Sequence, residues 1–241
     1  MTTEAPLRHF RARGILDPEL RLELRQDVHF DGEFAVHTHE FAELVVILGG
    51  RALHVTGSGA YPIGAGDVFV TLPGHPHGYR EAKGLRRTIV MFEPPAYLGT
   101  AEALRRLPGY HSLFVLEPRY RKQHRFESRL RLSAGQVSHA SNLIGQIGRE
   151  IEQRQAGCEM MAMALFQQLV VYLARCYSEN PAPPSAELLR IGDVLSFMEK
   201  HSDEPLRLED LAERAGLSEN QFLRVFRSAT GYTPIDYLLR L

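Results

Sequence analysis

The stretch LRLEDLAERAGLSENQFLRVFRSATGYTP, residues 206–234, decides how the chain is interpreted, because two helical patterns meet in it at a glycine. Leu208, Leu211 and Ala212 line one face of a short helix. Gly216 follows where the chain must turn sharply, and glycine tolerates the positive φ that such a turn requires. The pattern therefore predicts a helix, a tight turn and a second helix.

The second helix is expected to begin after Ser218, which is a favourable N-cap residue. Phe222, Val225 and Phe226 form its apolar stripe. Its remaining faces carry side chains that could reach outward, namely Asn220, Leu223, Arg224 and Arg227. A second helix of this kind can enter the major groove of DNA.

This stretch resembles the DNA-binding domain of the AraC/XylS family of transcription regulators. The last three of the matching residues follow the family's G-x-x-P-x-x-Y pattern; the full set is Leu208, Leu211, Ala212, Gly216, Ser218, Phe222, Phe226, Gly231, Pro234 and Tyr237. The resemblance implies that Asn220, Leu223 and Arg224 face base edges. It also implies that Arg227 faces phosphate. Arginine can bind guanine bidentately and asparagine can read adenine, so the expected partner is double-stranded DNA.

The C-terminal region departs from the family pattern in three respects. Arg207 stands where the family usually has a Ser or Thr cap. The sequence ends at Leu241, inside the helix that the resemblance places before a second helix-turn-helix, so that second motif is expected to be absent. Residues 187–241 carry seven basic and ten acidic side chains. Because phosphate attraction supplies most non-specific affinity, the chain as it stands is expected to bind DNA weakly.

The N-terminal half carries the pattern of short strands separated by Gly and Pro residues. LVVILGG, RALHV, DVFVTL and RTIVMF, at 44–50, 51–55, 67–72 and 87–92, are β-branched or aromatic runs. Regular short strands with tight turns predict an antiparallel β-barrel or jelly roll, which we place at residues 20–132.

Two segments of this barrel concentrate histidines. HTHEFAELVVILGG carries His37, His39 and Glu43, and GDVFVTLPGHPH carries His75 and His77. His37 and His39 share a face of their strand because side chains alternate. The segments resemble the two motifs of cupins, which implies a metal site formed by His37, His39, Glu43 and His77. Imidazole and carboxylate ligands suit Zn, Ni, Fe or Mn.

An alternative interpretation is that these side chains, with His75 and Tyr79, line a cavity and hydrogen-bond a sugar or small acid. Regulatory barrels of the AraC family use the cupin shell as an effector pocket. The sequence most resembles regulators of sugar operons, especially the rhamnose type, which implies a sugar-like effector. Sugar sites need an aromatic face as well as polar groups, and four aromatic residues are available: Phe34, Tyr61, Phe69 and Tyr79.

The middle of the chain changes to a helical period. Two helices with a break at Gly157 are expected at 133–179; their apolar stripes are Leu143, Ile147 and Ile151, then Met160, Met161, Leu165, Leu169 and Leu173. In the family such helices pair two subunits, whereas simple packing against the barrel is the alternative. Residues 180–186 are expected to be a proline-rich linker. The Arg-rich segment 119–132 predicts a solvated connection, with an anion or DNA patch as its alternative.

Composition sets the class of protein. The 241 residues are 44% hydrophobic and 24% charged, with a net charge of −1. Two cysteines are too few for a disulfide framework, and residues 1–19, which we interpret as an arm, contain no apolar run of the signal-peptide type. The longest apolar stretch, 160–174, is shorter than the roughly 20 residues of a membrane span. A cytoplasmic protein without a membrane partner is therefore expected.

Together these patterns predict an α+β chain with an N-terminal antiparallel barrel, a helical hairpin and an all-α helix-turn-helix subdomain at 187–241. We interpret it as a homodimeric, effector-responsive transcription regulator that is not an enzyme, requires no cofactor, and contacts RNA polymerase if it is an activator. Two alternatives stay open: a metal-dependent cupin enzyme, such as a dioxygenase or isomerase, and a dimerising sensor fragment without DNA binding. The arm is expected to fold across the barrel.

Overall fold

The computed structural model describes residues 7–99, 102–121, 125–179 and 183–241. These residues form two compact units. The sheet unit holds the chain up to Gly99 together with Arg131–Gln167, and the helical unit holds Thr100–Leu130 and Gln168–Leu241. The predicted α+β class is confirmed.

A seven-stranded sheet dominates the first unit, in the order β1-β2-β6-β3-β5-β7 with β4 paired to β3. The strands are β1 Arg8–Phe10, β2 Leu22–His39, β3 Ala42–Thr56, β4 Gly59–Gly64, β5 Asp67–Thr71, β6 His77–Phe92 and β7 Leu130–Arg131. The pairings that β2, β3 and β6 make with one another and with β4 and β5 are antiparallel, whereas β1 pairs with β2 in parallel. The described part of the arm is thus attached to the sheet edge, and residues 1–6 lie outside the described residues.

The middle of the sheet is held by apolar cross-strand pairs. Leu44 of β3 lies opposite Val90 of β6, and both side chains are fully buried. Residues 44–47 are buried without interruption, which is expected for β-branched runs covered on both faces. Register shifts between β3 and β6 coincide with Gly50, whose φ of +73° and close approach to the Gly84 carbonyl leave no room for a side chain.

Two long helices with a break near Gly157 are present in the middle of the chain, as the helical period predicted, and they are α5 and α6 once the shorter helices before them are counted. The short helices α1 Pro94–Tyr97, α2 Glu102–Arg105, α3 Pro108–Tyr110 and α4 Glu117–Tyr120 come first, with a π-helical turn at His111–Leu116; then α5 spans Ala134–Gln153 and α6 spans Cys158–Glu179. Ser133 caps α5 reciprocally with Gln136, and Arg154 ends it at a φ of +51°. By length and composition α6 could cross a membrane, although half of its most apolar window is buried within the protein.

The stripe predicted on α6 is only partly buried. Leu165, Leu169 and Leu173 are buried, whereas Met160 is 80% exposed and Met161 is 50% exposed. The helical period correctly identified the face of α6 that is buried further along the helix. It could not show that the first turn of α6, which carries Met160 and Met161, lies outside the packed core.

The segment between β6 and α5 differs from the predicted barrel, which extended to residue 132. Its helices begin at prolines 94 and 108, which favour the first helical turn because they need no N–H partner there. Thr100–Leu130 belongs to the helical unit. Within the described residues the strands stop at Phe92 and resume at β7, Leu130–Arg131, so a helical segment interrupts the range predicted for the barrel.

Two arginines of the Arg-rich segment, Arg121 and Arg129, are buried, whereas Arg119, Arg125 and Arg131 are exposed, so the prediction of a solvated connection holds for only part of the segment. Arg121 donates from Nη2 to Glu117 Oε2 at 2.8 Å, and both side chains are buried. Arg129 donates to the Phe126 carbonyl at 2.6 Å, and both guanidinium groups lie within 5 Å of the Phe126 ring centroid. The residues of this segment numbered 122–124 lie outside the described part. Paired charge and aromatic stacking offset the cost of burial here.

The C-terminal helices are α7 Pro183–Lys200, α8 Leu208–Ala215, α9 Glu219–Thr230 and α10 Pro234–Leu238. Helix α7 begins four residues before the expected Glu187, with Pro183 and Pro184 in its first turn, so the predicted linker is shorter; its residues 180–182 lie outside the described part. The core of these helices is formed by buried residues that include Leu188, Ile191, Leu195, Met198, Leu211, Ala215, Phe222 and Phe226.

Candidate functional site

Four buried side chains meet inside the sheet unit. His37 and His39 come from the end of β2, Glu43 from the start of β3 and His77 from the start of β6. One ligand atom from each of the four lies within 4.8 Å of the others. Register explains the cluster, because His37 pairs with His77 across β2 and β6. The residues of the predicted metal set are therefore neighbours in space.

The three imidazoles are oriented by backbone carbonyls. Nδ1 of His37 lies 3.1 Å from the Ala35 oxygen, Nδ1 of His39 lies 2.5 Å from the Phe41 oxygen, and Nδ1 of His77 lies 3.3 Å from the His75 oxygen. A carbonyl can only accept, so the proton of each neutral ring is placed on Nδ1. Each Nε2 then carries a lone pair, which is the form that binds metals.

Glu43 faces two of these Nε2 atoms. Its carboxylate oxygens lie 3.1 Å from Nε2 of His77 and 3.8 Å from Nε2 of His39. Within the described residues, His39 Nε2 is a buried nitrogen without a hydrogen-bond partner. A carboxylate and a ring nitrogen lone pair repel each other unless a proton or a cation lies between them. The donor set therefore fits a divalent cation.

The electrostatics of the cluster keep these ligands in their metal-binding forms. Burial, together with repulsion from His77, lowers the pKa of His37 to about 4. Burial also lowers the pKa of His39. Burial alone would raise the pKa of Glu43, but the His77 hydrogen bond and the neighbouring imidazoles outweigh it, so the pKa is lowered. Near neutral pH the Glu43 carboxylate thus faces unprotonated His37 and His39 rings.

A cavity of about 70 Å³ opens beside the cluster. Its lining combines polar groups with aromatic rings: Phe10, Ile15, Arg25, Phe34, His37, Phe41, Glu43, His77, Tyr79, Arg87, Ile89 and Met91. Phe10 and Ile15 belong to the arm, and the Phe10 ring packs edge-on against His37 with centroids 5.1 Å apart. The arm thus forms part of the cavity wall. Only the resemblance to the family suggested that the arm would fold across the barrel.

Tyr79 lies in the cavity wall as expected, but His75 does not. The His75 side chain is exposed, and its carbonyl rather than its ring faces His77. The turn before β6 places residues 73–75 outside the sheet, which the alternation rule could not show.

The sequence interpretation missed two residues. His54 is fully buried, with its ring centroid 5.8 Å from that of His77 and 5.3 Å from that of Tyr79. Arg87 is 2% exposed and lines the cavity. An arginine inside an apolar strand run, RTIVMF, was the available signal, because arginine is almost never fully buried unless it is paired.

In the helical unit, the helix-turn-helix has the expected packing. Phe222 and Phe226 of α9 are fully buried, with ring centroids 5.3 Å apart, and Tyr237 of α10 meets Phe226 edge-on at 5.7 Å. Asn220, Arg224 and Arg227 are exposed, and Leu223 is half-buried. The side of α9 opposite the core therefore carries the side chains predicted to contact DNA.

The turn between α8 and α9 is built from local chemistry. Gly216 ends α8 with a φ of +67°, and its N–H donates to the Glu213 carbonyl at 2.8 Å. Ser218 begins α9, donating from its backbone N–H and from its hydroxyl to Oε1 of Gln221. Arg207 starts α8 without a side-chain cap, as its residue type predicted.

Comparison with known families agrees with both sites. The chain matches the model described as "AraC-like ligand binding domain" over residues 23–170. Residues 198–239 match the model described as "Bacterial regulatory helix-turn-helix proteins, AraC family".

Individual relatives are similar over most of the chain. The proteins named "HTH-type transcriptional activator RhaR" from Shigella dysenteriae serotype 1 (strain Sd197) and Escherichia coli O139:H28 (strain E24377A / ETEC) are each 28% identical over 206 residues, covering 85% of this chain and 69% of the relative. Among solved structures, the AraC-like transcriptional activator CuxR aligns with 92% of this chain and 76% of its own, at 12% identity and a TM-score of 0.43.

Proposed function

Because the chain belongs to the AraC family of bacterial helix-turn-helix regulators, we propose that it is an effector-responsive activator that reads DNA with α9. The name of its RhaR relatives supports activation. We further propose that the effector is a small polar molecule bound in the cavity of the sheet unit. On this proposal the protein works in the cytoplasm and contacts RNA polymerase when bound to its operator.

The packing of α9 is the observation that carries the DNA-binding proposal. Two phenylalanines fix one side of the helix in the core, so the opposite side stays free to enter a major groove. Arg224 and Asn220 are the side chains that we assign to base edges. Arg227, one turn further along, is the one that we assign to phosphate.

Selection of duplexes from a random library by the purified chain, followed by titration of the selected sequence, tests this assignment. Arg224→Ala is expected to cost about 1–3 kcal/mol of affinity and to relax one base position. Arg227→Ala is expected to weaken all sequences alike and to reduce the salt slope by about one.

Lys200→Ala is the matched control, because it removes one exposed positive charge from the end of α7 and leaves α8 and α9 unchanged. It should retain both affinity and base preference. Wild-type affinity in Arg224→Ala, or a loss in Lys200→Ala as large as that in Arg224→Ala, would contradict the assignment.

The metal proposal rests on the cluster described above. His37, His39, Glu43 and His77 would hold the ion, which would supply a Lewis-acidic attachment point for an oxygen of the effector. Their Nδ1–carbonyl contacts fix the rings with the coordinating nitrogens turned toward Glu43. An ion at this position would also relieve the buried contact between Glu43 and His77.

Metal analysis after dialysis against Zn²⁺, Mn²⁺, Ni²⁺ or Fe²⁺ tests this site. One equivalent is expected in the wild type and in His75→Ala, whose ring is exposed and outside the cavity. His77→Ala is expected to lose it. Equal metal content in both variants would place the ion elsewhere, and no retention by the wild type would remove the metal proposal without affecting DNA binding.

We also propose that the helices α5 and α6 pair two copies of the chain. The exposed Met160 and Met161 at the start of α6 support a contact of this kind, since large apolar side chains are costly to leave in water. Sedimentation of the wild type against Met160→Lys should show a dimer that weakens in the variant. Unchanged sedimentation would exclude this surface.

A further inference from the structure

A buried cation faces the cavity from the side away from the main histidine cluster. Arg87 lies on β6 directly opposite Asp27 on β2, and its Nε donates to Asp27 Oδ2 at 2.5 Å. The guanidinium carbon lies 3.9 Å from the Tyr79 ring centroid. Tyr79 in turn lies 6.5 Å, centroid to centroid, from the His77 ring. One tyrosine thus separates the arginine from the histidines.

The hydrogen-bonding capacity of Arg87 is not used up by these neighbours. Its Nη1 is buried and has no hydrogen-bond partner within the described residues. A buried donor without an acceptor costs about 1–3 kcal/mol, and more when it is charged. Because this guanidinium lines the cavity, an acceptor in the cavity would remove that cost.

The charge at this end of the cavity is also unbalanced. Arg25 donates from Nε to the other carboxylate oxygen of Asp27, at 3.2 Å, and it lines the same cavity. Two guanidinium groups therefore share one carboxylate at this end of the cavity, because Glu43, the carboxylate that lines the cavity, lies at the histidine end. Planar guanidinium groups favour carboxylates, which accept two parallel hydrogen bonds.

The size of the cavity limits how large a ligand with a carboxylate group can be. About 70 Å³ is space for on the order of five waters at roughly 10–15 Å³ each. The histidine side of the wall offers ring nitrogens suited to a hydroxyl or to a bound ion. A short chain with an acid at one end and a hydroxyl at the other matches both ends.

We infer that the effector is a small hydroxycarboxylate, of the glycerate or lactate class, whose carboxylate binds Arg87 and whose hydroxyl lies toward the His37–His77 side. This inference rests on the proposed effector site in the sheet unit. It replaces a neutral sugar by an acid, and it assigns Arg87 and Arg25 to ligand recognition.

Calorimetric titration with matched pairs tests it. Each acid probe is compared with its neutral counterpart: D-glycerate with glycerol, and L-lactate with propane-1,2-diol. At least one acid is expected to bind the wild type about tenfold or more tighter than its neutral partner, as expected for a charge-assisted hydrogen bond. Arg87→Gln should lose that preference.

Arg86→Gln is the matched control, because Arg86 is the neighbouring residue of β6, carries the same charge and is exposed. It should bind the acid as the wild type does. If Arg87→Gln does not fold, Arg25→Gln serves instead, since its side chain is half-exposed, and it should reduce the acid preference several-fold.

The outcomes separate this inference from the proposed function. A neutral probe that binds as tightly as its acid, or an acid preference that survives in Arg87→Gln, overturns the carboxylate assignment and leaves an effector site in place. If no probe in the set binds, the inference is also refuted, while retention of duplex binding in the library selection keeps the regulator assignment. Loss of duplex binding by the wild type would instead count against the proposed function.

Discussion

Phe226→Ala should destabilise the DNA-reading part of the molecule while leaving the sheet unit intact. Phe226 is fully buried in the helical core, and its ring packs against those of Phe222 and Tyr237. Removing a buried phenylalanine typically costs about 3–5 kcal/mol, which combines lost burial with the cavity left behind. Domains are stable by only about 5–15 kcal/mol, so this is a large share of the total.

The magnitude converts into a measurable shift. In a domain of about 100 residues, each 1 kcal/mol moves Tm by roughly 4–8 °C, so a fall of about 12 °C or more is expected in the helical transition. Circular dichroism at the helical minimum follows this transition, and hydrogen exchange of the α8 and α9 amides assigns it. DNA affinity should recover on cooling, because Arg224 and Asn220 are unchanged.

Leu239→Ala is the control, since this leucine in the same unit is 82% exposed and should change stability by less than about 0.5 kcal/mol. A Tm for Phe226→Ala within 2 °C of the wild type would refute the packing argument. In that event the exposed face of α9 would no longer be fixed by its buried face.

Three further predictions concern the backbone, a buried pair and a buried histidine. Gly216→Ala should lower the free energy of unfolding by about 1–2 kcal/mol, because the φ of +67° is unfavourable for a residue with a side chain. Gly145→Ala lies inside α5 with no close neighbour and should raise the free energy of unfolding by about 0.5–1 kcal/mol. Thermal melting measures both changes. Glu117→Gln should cost about 3 kcal/mol in urea unfolding, because it leaves the buried Arg121 without its countercharge, and a cost below 1 kcal/mol would contradict this. Burial lowers the pKa of His111 to about 4, so below about pH 6.5 the unfolded chain binds a proton that the folded chain does not bind. The free energy of unfolding should therefore fall by up to about 3 kcal/mol between pH 6.5 and pH 4. His111→Asn should show a flatter pH profile in denaturant titrations over that range.

Local sequence patterns predicted the parts of the fold that are determined locally. The turn at Gly216, the cap at Ser218 and the buried stripe of α9 each depend on residues within one or two turns of each other, and their positions agree with the structure. The histidine cluster could be anticipated as well, because strand alternation places His37 and His39 on one face.

Features that depend on distant contacts were not predictable in the same way. Arg87 acquires its role from Asp27, sixty residues earlier, through β2–β6 register that no local pattern reveals. The burial of Arg121 and Arg129 likewise depends on Glu117 and on the Phe126 ring, so the run of charges alone did not show which of its arginines are buried. Helix α7 could begin at Pro183 because proline is unfavourable inside a helix but not in its first turn.

The pairing of β1 with β2 gives residues 37–39 two attachments at once. Their side chains His37 and His39 belong to the candidate ligand cluster, while their backbone is in register with Arg8, His9 and Phe10 of the arm. Binding of a molecule in the cavity and pairing of β1 with β2 therefore act on the same three residues. A bound molecule would stay in the cavity as long as the three paired residues of β1 and β2 remain hydrogen-bonded. The residence time of the molecule would therefore depend on the rate at which β1 separates from β2 as well as on the strength of the molecule's own contacts.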